Sequence, residues 1–408
     1  MICISLILTA ANFQTPADET VLLCDPKPLD RKTAAVVEAG LDWLRIHQEE
    51  DRFWSCARFP DRDPLQSAKP SDGAGTAIGD VGVTSLAILA FLGDSRLGDK
   101  PEWDRSVKSG LEWLIKIQNS KNGLFGDEVG NPTVYLHAMA TMAIAEGIHA
   151  GVLQKEIGLE PLKRATDILI KTQIKGSGWS YILFGSVLLE GQDLNDAPPE
   201  DFHPYGLPDT SVTAWSVLAL LSAKDVGIEV PNEVFESARR FLIGLTDLAT
   251  GYTGYNAQAN FKSSRMYHQL EKFPPQFAPA MTAVSLFIQR VSVDNKETPR
   301  SSKHPYSKLL KTQDALLIEH RPSDDPRAYD PYYWFFGSQA MHQSKASIEK
   351  KWQRAFQKIV FECQRKDGNS KGSWDPKGPW GEEGGRVADT ALIILGLQAP
   401  VRYRRILK

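Results

Sequence analysis

Cysteine is scarce: the 408 residues hold four, Cys3, Cys24, Cys56 and Cys363, with no C-x-x-C spacing among them. That pattern supports neither a zinc knuckle nor a thiol redox motif. If Cys3 leaves with a leader, three remain, and Cys24 with Cys56 is the disulfide expected of them. A large excess of charge of either sign is also missing, the formal net charge being −3. Without a basic field, sequence-independent binding of nucleic acid is set aside. No apolar run reaches the roughly 20 residues that span a bilayer, so no transmembrane segment is expected. P-loop and serine-hydrolase motifs are absent, no strand periodicity appears, and nothing calls for a cofactor.

What is present is the material for a large core, with 42% hydrophobic and 24% charged residues. The chain opens "MICISLILTAANFQ", an apolar run followed by small residues, which marks 1–11 as a candidate signal peptide. The basic residues that should precede the run are missing. Export and an uncleaved apolar strap therefore stay open as alternatives, and localisation stays open with them. Residues 1–29 are read as an N-terminal segment and 30–408 as one domain.

Within that domain a six-fold rhythm runs. Six segments superpose: "WLRIHQ" ending at Gln48, "WLIKIQ" at Gln118, "ILIKTQ" at Gln173, "FLIGLT" at Thr246, "LLIEHR" at Arg321 and "IVFECQ" at Gln364. Each closes an amphipathic helix; in the first, Val37, Leu41, Leu44 and Gln48 share a stripe. A glycine or aromatic corner follows in every unit but the fifth: "DRFWSC", "KNGLFGD", "GSGWSY", "TGYTGY" and "KGSWDP". Then comes a helix with little polar surface, such as "GDVGVTSLAILAFLG" or "DTSVTAWSVLALLSA", which others must enclose. Six half-buried helices alternating with six enclosed ones predict an all-α, α6/α6 toroid of two concentric rings with a funnel on its axis.

The corner copies "QNSKNGLF", "QIKGSGW" and "QRKDGNSKGSW" resemble the QW repeat of squalene and oxidosqualene cyclases, found in weaker form in protein prenyltransferase β subunits. The resemblance covers about residues 30 to 400 and implies the toroid. Trp54, Trp179 and Trp374 are expected to be structural, each ring packing over a Gln that serves free carbonyls at its helix end.

The family's activities transfer poorly. The cyclases protonate an alkene or epoxide with the central acid of an Asp-x-Asp-Asp motif, and "YGLPDTSVTAWSVLAL" resembles that region. Aligned on Pro208 and Thr213-Ala214, the first acid is Asp209, while Ser211 and Val212 hold the other two places. Asp209 is thus the one catalytic candidate, although Asp80, Asp209 and Asp389 are more simply explained as helix N-caps. The zinc ligands of the prenyltransferases cannot be mapped, and no metal site is expected. Asp330 and His342 are the one pair that an unrelated metal could use.

The remaining candidates line a cavity or its mouth: Trp215 in unit three, and Tyr332, Tyr333, Trp334 and Phe336 in "YDPYYWFFGSQAMHQ". Ring faces there could stabilise a cation, or simply fill the core. Two long segments before inner helices contribute His203, Tyr205, Tyr267 and His268, and the extension "DPKGPWGEEGGR" adds Trp380 as a lip. Taken together these predict a binding protein for an apolar, isoprenoid or peptide ligand, with a cyclase-like isomerase as the alternative. A polysaccharide-active toroid would need paired carboxylates, for which Asp324, Asp325 and Asp330 are the dense acidic cluster.

Overall fold

A computed structural model describes residues 22–126, 132–181, 207–258, 265, 267–292 and 306–404. Twelve α-helices lie among them. The outer six are α1 (Arg31–Ile46), α3 (Pro101–Ile117), α5 (Lys155–Lys171), α7 (Asn232–Gly244), α9 (Ser307–Glu319) and α11 (Ala346–Cys363). The inner six are α2 (Asp80–Leu92), α4 (Thr133–His149), α6 (Thr210–Asp225), α8 (Ala280–Val291), α10 (Pro331–His342) and α12 (Gly381–Arg402). Each inner helix packs on the next, α2 on α4 through to α12, and α12 returns to α2, so the ring closes. This is the α/α toroid that the sequence rhythm predicts. The inner helices are buried on nearly every face, whereas α1, α3 and α11 bury a single stripe.

The corners tie the two rings together. Trp54, Trp179 and Trp374 are fully buried, and each Nε1–H donates to a carbonyl in the last turns of its own outer helix: Leu44 at 2.7 Å, Leu169 at 2.6 Å and Val360 at 2.7 Å. Their backbone N–H groups donate to Thr84, Thr213 and Thr390 on the following inner helix. In unit two His137 takes the threonine's place, accepting from Phe125 N and donating to Ala165 O; burial pushes its pKa down to about 4. The glutamines do something other than expected. Gln118 and Gln364 have already left the helix into extended backbone, so their amides reach away from the last turn. Each spans its own corner and the next outer helix, Gln118 to Pro161 O and Gln173 to Val234 O. Gln364 reaches Val36 O of α1 and so closes the outer ring.

At the C-terminal ends of the inner helices, residues 22–28 cross as a strap. Asp225 accepts from Leu22 N and Leu23 N, Arg404 N donates to Leu22 O, and Arg402 pairs with Glu146 inside the ring. The strap also overturns the expected disulfide. Cys24 Sγ rests on Arg402 O at this base, while Cys56 lies buried at the opposite end, where its N–H donates to Asp80; both thiols are free.

At the other end, the opening turn of α12, set off from the rest of the helix by a kink at Gly385, folds over the segment after the first corner. Gly385 is left-handed there, with φ 66°, which lets Arg386 N reach Gly73 O, and Thr76 N donates to Glu383 O.

Candidate functional site

Three acids were matched to helix N-termini, and their fates differ. Asp209 is the N-cap of α6: its Oδ1 accepts from Ser211 N at 2.8 Å and Val212 N at 3.0 Å. Asp80 does not cap α2; it accepts from Cys56 N and Ser55 Oγ and so holds the first corner. Asp389 is no cap at all but lies inside α12, in the first turn after the kink at Gly385.

Asp209 has more than a capping role requires. Ser211 Oγ also donates to Oδ1, at 2.7 Å. Tyr255 Oη donates to Tyr181 Oη at 2.7 Å, and Tyr181 Oη lies 3.2 Å from Ser211 Oγ. Since the serine proton is committed to Asp209, the three hydroxyls point one way, toward Oδ1. Oδ2 is buried and has no partner among the described residues. Burial pushes the carboxyl up to about 7, so at neutral pH the protonated and ionised forms are both populated. With three donors occupying Oδ1, the proton of the protonated form sits on Oδ2.

A helix apolar all round has an axial face, and residual exposure marks it. Val83, Leu86, Leu136, Met139, Ser211, Ala280, Met281 and Tyr332 retain 3–8% of their surface. All lie in the first two turns of inner helices. They outline a cup, with Tyr135, Tyr181 and Tyr255 half-buried at its rim. Its floor is aromatic: Trp215 of α6 stacks on Phe335 of α10 at 5.5 Å and meets Phe336 edge-on, a contact between helices that are not ring neighbours. Tyr135 adds its edge to Trp215.

Of the aromatic run in unit five, Tyr332 and Phe336, one turn apart, lie on the side of α10 that meets Trp215, together with Phe335. Tyr333 and Trp334 do not. At 100° per residue they fall on the far face, Tyr333 against Trp352 of α11 with its hydroxyl on His320 O, Trp334 against Phe356. His342 and Asp330 cannot share a metal, because they stand at opposite ends of α10. His342 bridges Glu349 and Tyr403 O, and Asp330 caps the helix and pairs with Arg265 at 2.6 Å. No metal-holding cluster occurs among the described residues. Asp325 is an exposed turn residue paired with Arg327, which leaves the acidic cluster scattered.

At the mouth, Tyr267 is 91% exposed and His268 approaches Glu382 of the lip. Trp380 is half-buried with Arg265 over its ring. His203 and Tyr205 lie outside the described residues. Sequence reasoning missed Tyr135, Tyr181 and Tyr255. The last two carried a signal, since each stands two residues after the corner position that bonds the next inner helix.

No family model and no curated protein matches the chain. Solved structures do resemble it in fold. Type II terpene cyclase MstE from Scytonema aligns at 12% identity over 90% of this chain and 98% of that one, with a TM-score of 0.53. An alpha-1,6-mannanase, GH76A of Salegentibacter sp. HEL1_6, aligns at 8% identity over 90% and 98%, with a TM-score of 0.54. A protein from Actinoplanes aligns at 13% identity over 90% and 99%, with a TM-score of 0.53. At these identities the likeness is one of fold, the α/α toroid.

Proposed function

We propose that the axial cup binds an apolar, isoprenoid-class small molecule and that Asp209 is its proton donor, in a terpenoid-cyclase-like isomerisation. One observation carries this reading: a buried carboxyl whose one oxygen is held by three donors and whose other oxygen has no partner among the described residues. On transfer the Oδ2–H bond breaks, an alkene π pair forms the new C–H bond, and a carbocation remains. The carboxylate left behind keeps its three donors and the positive end of the α6 dipole. The cation finds the faces of Trp215, Phe335 and Phe336. Loss of a proton from the cyclised cation completes the isomerisation with no oxidant or reductant.

The cyclase of similar fold supports the ligand class, since it has been captured with geranylgeranyl dihydroxybenzoate as substrate. Ser211 and Val212, standing where the resembled motif has acids, favour a second reading in which the cup binds without turnover. Incubating the purified chain with squalene and geranylgeraniol, beside Asp209→Asn, separates the two. Product that disappears in the variant while ligand binding persists supports the acid role. Binding without product by either chain supports the second reading, and product unchanged by the substitution rules Asp209 out.

A further inference from the structure

We propose that Asp389 is a second polar pole of the cup, recognising a neutral oxygen, a hydroxyl or carbonyl, on the ligand. This rests on the reading of the cup as an apolar-ligand site and names the chemistry of that ligand's polar end.

Position is the first observation. In the ring order α2, α4, α6, α8, α10, α12, helix α12 stands three places from α6, so Asp389 and Asp209 lie on opposite walls. Asp389 also belongs to the axial stripe of its helix. Ala388, Asp389 and Leu392 retain 8%, 3% and 6% of their surface, whereas Thr390, Ala391 and Ile393 retain none. Thr390 turns the other way, to the Trp374 corner.

The second observation is that Asp389 is unserved. It makes no hydrogen bond among the described residues, and its Oδ2 is buried without a partner. Native proteins leave few buried carboxyls in that condition, because each lost hydrogen bond is a desolvation cost with no return.

The surroundings select the partner. On α10, Asp330 already binds Arg265; on α12 itself, Arg386 is taken by Asp375 at 2.8 Å and by Asp72. These cations are committed, so a phosphate here would meet carboxyls instead of spare charge. Burial and the neighbouring Asp330 hold Asp389 well above the usual carboxylate range. A neutral carboxylic acid both donates and accepts one hydrogen bond, which fits a hydroxyl or a carbonyl.

The test titrates geranylgeraniol, the same C20 chain without its hydroxyl, and geranylgeranyl diphosphate against the full chain, followed by tryptophan fluorescence. Asp389→Leu and Asp389→Asn are run alongside. The full chain should bind the alcohol about tenfold more tightly than the hydrocarbon, and the diphosphate most weakly. Asp389→Leu should lose that preference and keep the hydrocarbon affinity; Asp389→Asn, still a donor and acceptor, should retain most of it. Equal binding of alcohol and hydrocarbon by the full chain, or a preference that survives Asp389→Leu, overturns the inference but not the cup. Tightest binding of the diphosphate also overturns it. No binding of any of the three overturns both. The ratio for the unsubstituted chain needs no variant, so the test stands even where a substitution unfolds the ring.

Discussion

The two ends of the inner ring bury acids in opposite ways. At the base, Glu146 faces Arg402 and the Tyr403 hydroxyl, and Asp225 receives two backbone amides of the strap. At the mouth, Asp209 keeps one oxygen idle and Asp389 has no hydrogen bond at all among the described residues. The fold can satisfy a buried carboxyl when the carboxyl serves only stability. Asp209 and Asp389, which it leaves with an unpartnered oxygen, lie on the walls of the cup, and this is the physical reason for placing function there.

That contrast can be broken from the base first. Arg402→Met leaves Glu146 inside the ring with the Tyr403 hydroxyl but without its cation, and stability in urea should fall by about 3–5 kcal/mol. A loss below about 1 kcal/mol would mean that the base is no better satisfied than the mouth. Next, Gln364→Ala removes the two bonds that close the outer ring at Val36 and Gly372, for about 1–2 kcal/mol by the same measurement.

The pH dependence sharpens the comparison further. Asp209 and Asp225 are both raised by burial to about 7 from 3.8. A carboxyl whose folded pKa is raised binds its proton more tightly when folded, so its stabilising contribution is greatest at low pH. Each group should then cost about 1.4 kcal/mol per pH unit between roughly pH 4 and 7, and nothing further above. Asp209→Asn, which keeps the cap, should remove one share of that slope, and Asp225→Asn the other. An unchanged slope in Asp209→Asn would show that this carboxyl is solvated. The smallest effect is expected for Tyr181→Phe, about 1 kcal/mol or less, because Ser211 still serves Asp209 directly.

Much of the ring was legible along the chain. Amphipathic segments ending at Gln48, Gln118, Gln173 and Gln364 alternate with enclosed ones, and the corner tryptophans are structural as their spacing implied. Tyr333 and Trp334 adjoin Tyr332 in the sequence, yet successive residues on a helix point 100° apart. Asp330 with His342, and Cys24 with Cys56, are pairs that composition allows and helix length or the strap keeps apart. Asp389 stands near the start of an enclosed segment, as a cap would, yet it is its neighbour Thr390 that bonds the corner.

By itself the sequence determined which helices are enclosed, where the corners fall, and that Asp209 opens an inner helix without the usual acid partners. Those are local properties, set by periodicity and by one or two turns of chain. Only closure of the ring decided which side chains meet: Tyr255 of unit four with Tyr181 of unit three, Trp215 with Phe335 across the axis, and Asp389 on the wall opposite Asp209. Such contacts join residues far apart in the chain. They exist because six helices, each unable to stay apolar in water, can all be enclosed only by packing around one axis.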